Sequence, residues 1–171
     1  MTILMVVIIA LQVVAISTND WSIASYNSAS AVAMKLKANW GLWKECSGGV
    51  IGKVSGGSCS HLPPQGSSPF PKNSLEAARA FAVLGPCLVA IAMLGSYVYP
   101  MKQKNICMLL LAGAISSIIA MVIWSAELLK LKSGLPSPAP STIAGSPGYS
   151  FYLNLSAGVL GLIGAYVCYN M

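Results

Sequence analysis

Charged residues are confined to three parts of this sequence, and the gaps between them are long enough to cross a membrane. The charge-free windows are residues 1–19, 80–101, 105–126 and 133–171, which hold 19, 22, 22 and 39 residues. A bilayer-spanning helix needs about 20 residues. Only 8% of the chain is charged, against roughly 25% of an ordinary soluble domain. The sequence therefore predicts an integral membrane α-helical protein with four spans.

We predict the spans at residues 1–17, 77–99, 106–126 and 151–169, with outer segments at 18–73 and 133–148. The first window also resembles a signal peptide, but no Lys or Arg precedes its apolar run, so we interpret it as a retained helix. Asn73 and Glu76 have the spacing of a capping box at the start of the second helix. Pro86 predicts a kink in that helix. The second outer segment is rich in Pro, Ser and Gly, which is typical of a loop.

Lysines and cysteines distinguish the two sides of the membrane. The turn between the second and third spans carries Lys102 and Lys104 without an acid, and cytoplasmic loops carry an excess of such cations. Both termini are therefore predicted to be cytoplasmic, and residues 18–73 to be extracellular or lumenal. Cys46 and Cys59 are the only cysteines in that outer segment. Because disulfides persist outside the cytosol, we predict a disulfide between them; the alternative is two free thiols.

The first outer segment carries apolar and aromatic residues at a density typical of strands. They form short runs at residues 21–26, 40–43, 50–51 and 54. The pairs Gly48-Gly49 and Gly56-Gly57 are expected to form turns between the runs. We predict an antiparallel sheet of three or four short strands. Because so small a sheet is marginal alone, the disulfide and the helix ends beneath it are expected to stabilise it.

A motif runs through this segment: Trp21 is followed by Gly41-Leu42-Trp43 and then by Cys46 and Cys59. The pattern resembles the claudin signature of a tryptophan, a Gly-Leu-Trp run and two cysteines. Residues 75–80 are similar to the claudin stretch in which the first outer loop enters the second helix with an arginine, which here is Arg79. The aromatic run at residues 149–153 is similar to the wider superfamily, which includes peripheral myelin proteins and calcium-channel gamma subunits. The resemblance covers essentially the whole chain.

The resemblance implies a left-handed four-helix transmembrane bundle with a small extracellular antiparallel β-sheet, to which the second outer segment adds one strand. It also implies that Trp21 and Gly41-Leu42-Trp43 seat the sheet on the bundle, and that Cys46 and Cys59 form its disulfide. Arg79 would lie beneath them, where a guanidinium can satisfy loop carbonyls. The alternative role for Arg79 is a plain interfacial anchor.

Three features depart from the claudin pattern. The sequence ends at Met171, so the C-terminal motif by which claudins bind junctional scaffold proteins is expected to be absent. Twelve residues separate Cys46 from Cys59, which is more than claudins usually have. Ser60 and His61 follow the second cysteine, where claudins often place a charge that sets ion selectivity. The sequence therefore assigns no selectivity.

The first outer segment, counted together with the start of the second helix as far as Arg79, has a net charge of +3, from six Lys or Arg and three acids. This charge favours anions, an acidic partner surface or anionic headgroups, and a solvated face rich in lysine is an equally good interpretation. Nucleic acid is not an expected partner, because the lysines are spread along the segment and are not clustered with stacking aromatics.

Small residues recur at helical spacing in the last span: Ala157, Gly161 and Ala165, with Gly158 and Gly164 beside them. Such a face permits close helix packing. We predict that it packs within the bundle, against the small residues at 113–117 of the third helix.

Cys107 and Cys168 lie near the inner ends of the third and fourth spans. Reversible acylation occurs at such positions in proteins of the family that the chain resembles, so these cysteines are acylation candidates. The alternative is that they are buried small apolar residues.

Enzymatic chemistry is not expected, because one histidine and four scattered acids provide no acid and base pair. His61 and Cys59 alone are too few ligands for a metal site, so no metal or cofactor is predicted. Apart from Arg79 near the start of the second span, the spans hold no charged residue, so the ion relay that is typical of pumps is not expected either.

Two functions fit the sequence. The first is a claudin-like protein of a cell junction that mediates lateral assembly, membrane adhesion or a paracellular barrier. Its expected partners are the lipid bilayer, further copies of the chain in a homo-oligomer, or other membrane proteins. The alternative is a structural anchor or auxiliary subunit in a larger membrane assembly, for example a viral inner-membrane or capsid-associated membrane protein.

Overall fold

The computed structural model describes residues 1–27, 34–51, 54–61, 71–98, 101–133 and 144–170. Four helices make up most of this part of the chain. They are α1 (Thr2–Ser17), α2 (Lys72–Tyr97), α3 (Gln103–Ser133) and α4 (Tyr149–Asn170).

Three of these helices are long and apolar enough to cross a membrane, over Asn73–Tyr97, Gln103–Lys130 and Tyr149–Asn170. This confirms the predicted class of membrane helical protein. The first helix is also apolar, but it has only 16 residues. At 1.5 Å per residue it reaches about 24 Å, which is short of the hydrocarbon thickness of about 30 Å.

The helices pack so that each has its main contacts with two others. Helix α1 contacts α2 and α4, and α3 contacts the same two helices. Small residues permit the close approach of α4, because a Cβ added at Gly161 would lie 2.9 Å from the Cβ of Ala114 in α3. On the other side, a Cβ at Gly164 would lie 3.1 Å from Leu4 in α1. The predicted small-residue face therefore packs inside the bundle.

Buried polar side chains join three helices in the middle of the bundle. Gln12 of α1 donates from Nε2 to the Ser117 hydroxyl of α3 at 2.6 Å, and Asn154 of α4 donates from Nδ2 to the Ser117 carbonyl at 3.2 Å. Helix α2 contributes Gly85, where a Cβ would lie 2.7 Å from the Ser117 hydroxyl. Hydrogen bonds of this kind fix how far one apolar helix slides along the next.

A five-stranded antiparallel sheet covers one end of the bundle. Its strands are β1 (Ser22–Asn27), β2 (Met34–Trp40), β3 (Lys44–Ile51), β4 (Val54–His61) and β5 (Ala144–Pro147). They lie in the order β4-β3-β2-β1-β5. The second outer segment contributes β5, which pairs with β1. We call this the sheet end, and the opposite end, which carries Lys102 and Lys104, the lysine end.

The predicted glycine turns are wrong. Gly48 faces Gly57 and Gly49 faces Gly56 inside the β3–β4 pair, which continues to Ile51 opposite Val54. The pairing of Cys46 with Cys59 sets this register, and it leaves the four glycines in mid-strand. Glycines that face each other allow two strands to approach closely, so they are compatible with a ladder.

Two other local predictions also differ from the structure. Helix α2 begins at Lys72 with Pro71 at the N-cap and no side-chain cap, so Asn73 lies within the helix and the capping box does not form. Residues 144–147 of the second outer segment form the strand β5, which the resemblance implies, whereas the composition alone predicts a loop there. Residues 134–143 of that loop lie outside the described part of the chain.

Candidate functional site

The sheet rests on a core of large apolar side chains at the sheet end. Trp21 and Leu42 are fully buried, and Trp124 of α3 is 2% exposed. The rings of Trp21 and Trp124 meet edge to face with their centroids 5.6 Å apart, a geometry that aromatic pairs prefer. The remaining buried members of this core are Trp40, Leu75, Ala78, Ala82, Ala120, Met121 and Leu128.

Trp21 links three parts of the fold through hydrogen bonds. Its indole Nε1 donates to the carbonyl of Ala15 in α1 at 2.7 Å. Its backbone N–H donates to the carbonyl of Trp40 in β2 at 3.0 Å, and its own carbonyl accepts from the Gly148 N–H at 3.0 Å. The residue therefore joins α1, the sheet and the start of α4 at one buried point.

Gly41 and Leu42 bring the turn between β2 and β3 down to the helices. A Cβ at Gly41 would lie 2.6 Å from the Cα of Asn19, so only glycine permits this approach. The carbonyl of Leu42 accepts a hydrogen bond from Nε of Arg79 in α2 at 2.6 Å. The guanidinium also lies 5.1 Å from the ring centroid of Trp43, which is 39% exposed. Arg79 thus contacts the turn at two points, one polar and one cation–π.

Polar pairs surround this core. Asn39 donates to the Asp20 carboxylate at 2.6 Å. Glu127, which is 7% exposed, accepts from Ser74 at 2.9 Å and from Lys130 at 2.8 Å. These bonds join β2 to the connection between α1 and β1, and α2 to α3, so the helix ends and the sheet are held in one arrangement.

A disulfide joins Cys46 of β3 to Cys59 of β4, with their Cα atoms 4.1 Å apart. The two residues are direct partners across the strands. Nδ2 of Asn19 lies 3.7 Å from the Cys46 sulfur, which connects the disulfide to the chain between α1 and β1. This is the pair that the sequence analysis assigns to a disulfide.

A second disulfide lies at the lysine end, between Cys107 of α3 and Cys168 of α4, with Cα atoms 5.6 Å apart. Nε2 of Gln103 donates to the Cys168 carbonyl at 2.7 Å beside it. From the sequence, these cysteines are predicted to be acylated, with buried small apolar residues as the alternative. Acylation needs a free thiol, and the joined pair offers none, so it remains a prediction for the reduced form alone.

Several residues of this site are not among those that the sequence analysis singles out. Trp124 lies within the predicted third span at residues 106–126, and Glu127 directly follows it. Gly148 is also absent, although a Cβ there would overlap the Asp20 carbonyl oxygen. The spacing of Trp124 and Glu127 could have indicated that both belong to one site, because residues three apart on a helix share a face.

A comparison of the sequence with protein-family models finds no match, and a comparison with curated proteins finds none either. What the site can do must therefore follow from its geometry. Its hydrogen bonds and apolar contacts fix the height and angle of a sheet above a helix bundle. Among the described residues, no group of three or more His, Cys, Asp or Glu side chains is placed to hold a metal ion. The arrangement is suited to presenting a surface.

Proposed function

We propose that this chain is a claudin-like tetraspan membrane protein that mediates lateral assembly, membrane adhesion or a paracellular barrier, without enzymatic activity. The observation that carries the proposal is the arrangement of side chains at the sheet end. There Trp21 and Leu42 are buried in the bundle and Arg79 binds the turn that leads into the disulfide-bonded strands. These are the positions at which the sequence resembles the claudin signature.

The proposal includes a topology. Helix α1 would be a fourth, short span in a left-handed bundle, with both termini and the lysine end in the cytoplasm. The sheet end would be extracellular or lumenal. The two lysines support this orientation, because cytoplasmic turns are enriched in such residues. The contacts of α1 with α2 and α4 support its place in the bundle.

Lateral assembly has a specific candidate surface, which is the outer edge of β4. This strand is the last in the sheet order. Its sequence, VSGGSCSH, contains no Lys, Arg, Asp or Glu. Edge strands are usually protected by charge, proline or a bulge, because an open edge is a template for pairing with another chain. Pairing of β4 edges would join copies side by side in one membrane.

The test is freeze-fracture imaging and transepithelial resistance in cells that form no junction strands of their own. The full chain is expected to form continuous strands at cell contacts and to change the charge-dependent conductance. The double variant Cys46→Ser, Cys59→Ser is expected to reach the cell surface but to form no continuous strands and to leave the conductance unchanged. No strands and no conductance change, with surface expression established by labelling, would contradict the proposal.

A matched pair of lysine substitutions tests the β4 edge. Ser58 and Ser47 are exposed and face each other across β4 and β3. Ser58→Lys adds a charge at the edge, whereas Ser47→Lys adds the same charge one strand further in. The freeze-fracture strands at cell contacts are expected to shorten or disappear only with Ser58→Lys. Equal loss in both variants would indicate a general charge effect, and no loss in either would exclude this edge.

Dispersed particles, seen alone or only within a larger complex, would favour the alternative function of an anchor or auxiliary subunit. In that case the protein should co-purify with a stoichiometric partner in mild detergent. A monodisperse single chain with no partner would contradict this alternative as well.

A further inference from the structure

An apolar groove of about 380 Å³ opens between α3 and α4 at the lysine end. Met108 and Leu111 line it from α3, and Leu162 and Ala165 line it from α4. Lys104, Tyr166 and Tyr169 lie at the end of the groove where the two helices reach the membrane edge. The groove follows α3 from residue 104 to residue 111, which is about 10 Å along the helix.

The groove is open on the side that would face lipid. Met108 is 59% exposed, and Tyr166 and Tyr169 are 72% and 75% exposed. All three residues lie in helices that are long and apolar enough to cross a membrane. In a bilayer the groove would therefore be filled by a hydrocarbon chain, since water there would find almost no polar partner.

The end of the groove has the chemistry of an anion site. Lys104 lines it directly, and Lys102 lies in the adjoining turn. The four acids of the chain are Asp20, Glu45, Glu76 and Glu127, and each belongs to the sheet end. No Asp or Glu side chain is thus placed to neutralise Lys102 and Lys104, so the side chains of the lysine end carry a net positive charge.

The two tyrosines add a second recognition element. Tyr166 and Tyr169 are three residues apart on α4 and so share one face. Tyrosine rings prefer the level of lipid headgroups, where the ring stays apolar and the hydroxyl remains hydrated. Their hydroxyls can donate hydrogen bonds to a phosphate or to a glycerol ester carbonyl.

We propose that this groove binds one anionic phospholipid, with an acyl chain between α3 and α4 and the headgroup phosphate at Lys104. A fixed cation at one end of an apolar groove matches the charge and the polarity of such a lipid along its length. The orientation proposed above places the lysine end in the cytoplasmic leaflet, where anionic lipids are concentrated. The site depends on the helices crossing a membrane, and it does not depend on assembly through the sheet.

The test is native mass spectrometry of the full chain in mild detergent, with phosphatidylglycerol and phosphatidylcholine of matched acyl chains. Wild-type protein is expected to retain one phosphatidylglycerol in preference to phosphatidylcholine. Lys104→Gln should reduce that preference roughly five-fold, since one lysine near an anionic headgroup contributes on that order. Lys102→Gln removes the same charge from the same end but outside the groove, and it should reduce the preference less than two-fold.

A second pair of variants tests the acyl-chain part of the groove. Met108→Trp is expected to fill it and to reduce the retention of both lipids. Ile115→Trp is the matched control, because Ile115 is 44% exposed on the same helix and does not line the groove. Retention by this control should equal that of the wild type. If Met108→Trp fails to fold, as judged by gel filtration, the two glutamine variants still decide the headgroup site.

Three outcomes would overturn the proposal. Equal retention of the two lipids by the wild type would mean ordinary annular lipid, and equal losses from Lys102→Gln and Lys104→Gln would mean diffuse attraction. Displacement of the lipid by inorganic phosphate would mean a soluble anion site. Extraction of the chain from membranes by alkaline carbonate would instead contradict the membrane topology itself, so the two failures are distinguishable.

Discussion

At the sheet end, tryptophan rings fill the space between the helices and the sheet, whereas at the lysine end the helices meet through aliphatic residues and one disulfide. The sheet end also has backbone hydrogen bonds that join elements far apart in the chain, such as Trp21 to Trp40 and to Gly148. The difference indicates two roles. The sheet end is built to keep one shape, and the lysine end leaves a groove open between two helices.

The two disulfides show the same difference. Cys46 and Cys59 are 13 residues apart and join neighbouring strands, while Cys107 and Cys168 are 61 residues apart and join two helices. The proposed orientation places the first pair outside the cytosol and the second at its edge. Only the first then lies where oxidising conditions are normal.

The largest expected effect is at Gly148. Gly148→Ala places a methyl group against the Asp20 carbonyl oxygen, and backbone on both sides must move. We expect a loss of about 4 kcal/mol in the free energy of unfolding, measured in detergent micelles. Gly95→Ala at the lysine end meets only the flexible Met101 side chain and should cost under about 1 kcal/mol. Equal losses would mean that the sheet end is no more rigid than the lysine end.

The next effect separates the disulfides. Replacing Cys46 and Cys59 by serine should cost about 3 kcal/mol in the free energy of unfolding. Without the disulfide, the loop between them gains conformational freedom in the unfolded chain. The same change at Cys107 and Cys168 should cost about 1 kcal/mol, although the loop between them is longer. In the unfolded state α3 and α4 remain inserted in the micelle as helices, so this disulfide restricts fewer conformations than one in a free chain. Thermal unfolding of both double variants in micelles measures the difference. A larger loss from the second pair would reverse the comparison.

Trp21→Phe should cost about 2 kcal/mol, because it removes the shorter of two side-chain hydrogen bonds to the Ala15 carbonyl and leaves unfilled part of the space of a fully buried ring. Trp43→Phe is the matched control, since that ring is 39% exposed and should cost less than about 0.5 kcal/mol. Chemical unfolding followed by tryptophan fluorescence compares them. Similar losses would show that the Trp21 hydrogen bond contributes little.

The smallest effect is expected from Arg79→Lys, at about 1 kcal/mol. The positive charge is retained, but the Nε donor to the Leu42 carbonyl is lost, and lysine has no planar group to stack on Trp43. At the lysine end, Lys104→Arg keeps a cation in an exposed position and should change stability by less than about 0.5 kcal/mol. Unfolding in micelles measures both. No loss from Arg79→Lys would leave the guanidinium as an interfacial anchor only.

The helices were predictable from the sequence because the bilayer imposes a length and excludes charge, and the charge-free windows record both requirements. The sheet was predictable in outline, since its apolar runs lie between polar residues. Its glycines were misplaced, because glycine permits a turn and a closely paired strand equally well. Only the register of Cys46 with Cys59 decides between them.

The packing of the small residues of α4 against residues 113–117 of α3 was predictable from the sequence, but the other contacts between helices were not. The sequence places Cys107 and Cys168 near one end of the bundle, but it does not say how far α3 slides along α4. The same holds for Gln12, Ser117 and Asn154, which read as isolated polar residues until the three helices are packed. The contact between Trp124 and Trp21 was not predictable for the same reason. It depends on how α3 is rotated about its axis and on its height relative to the sheet, and the sequence of one span does not encode either.

The pairing of β1 with β5 also sets an order of events during synthesis. The first strand follows α1, but its partner precedes the last helix. At roughly 5–20 residues per second, β1 waits on the order of ten seconds for β5 to leave the ribosome. Through that interval the edge of β1 and one side of α1 are without their final partners. In the orientation proposed above, a chaperone of the membrane or of the lumen would meet the nascent chain in this state.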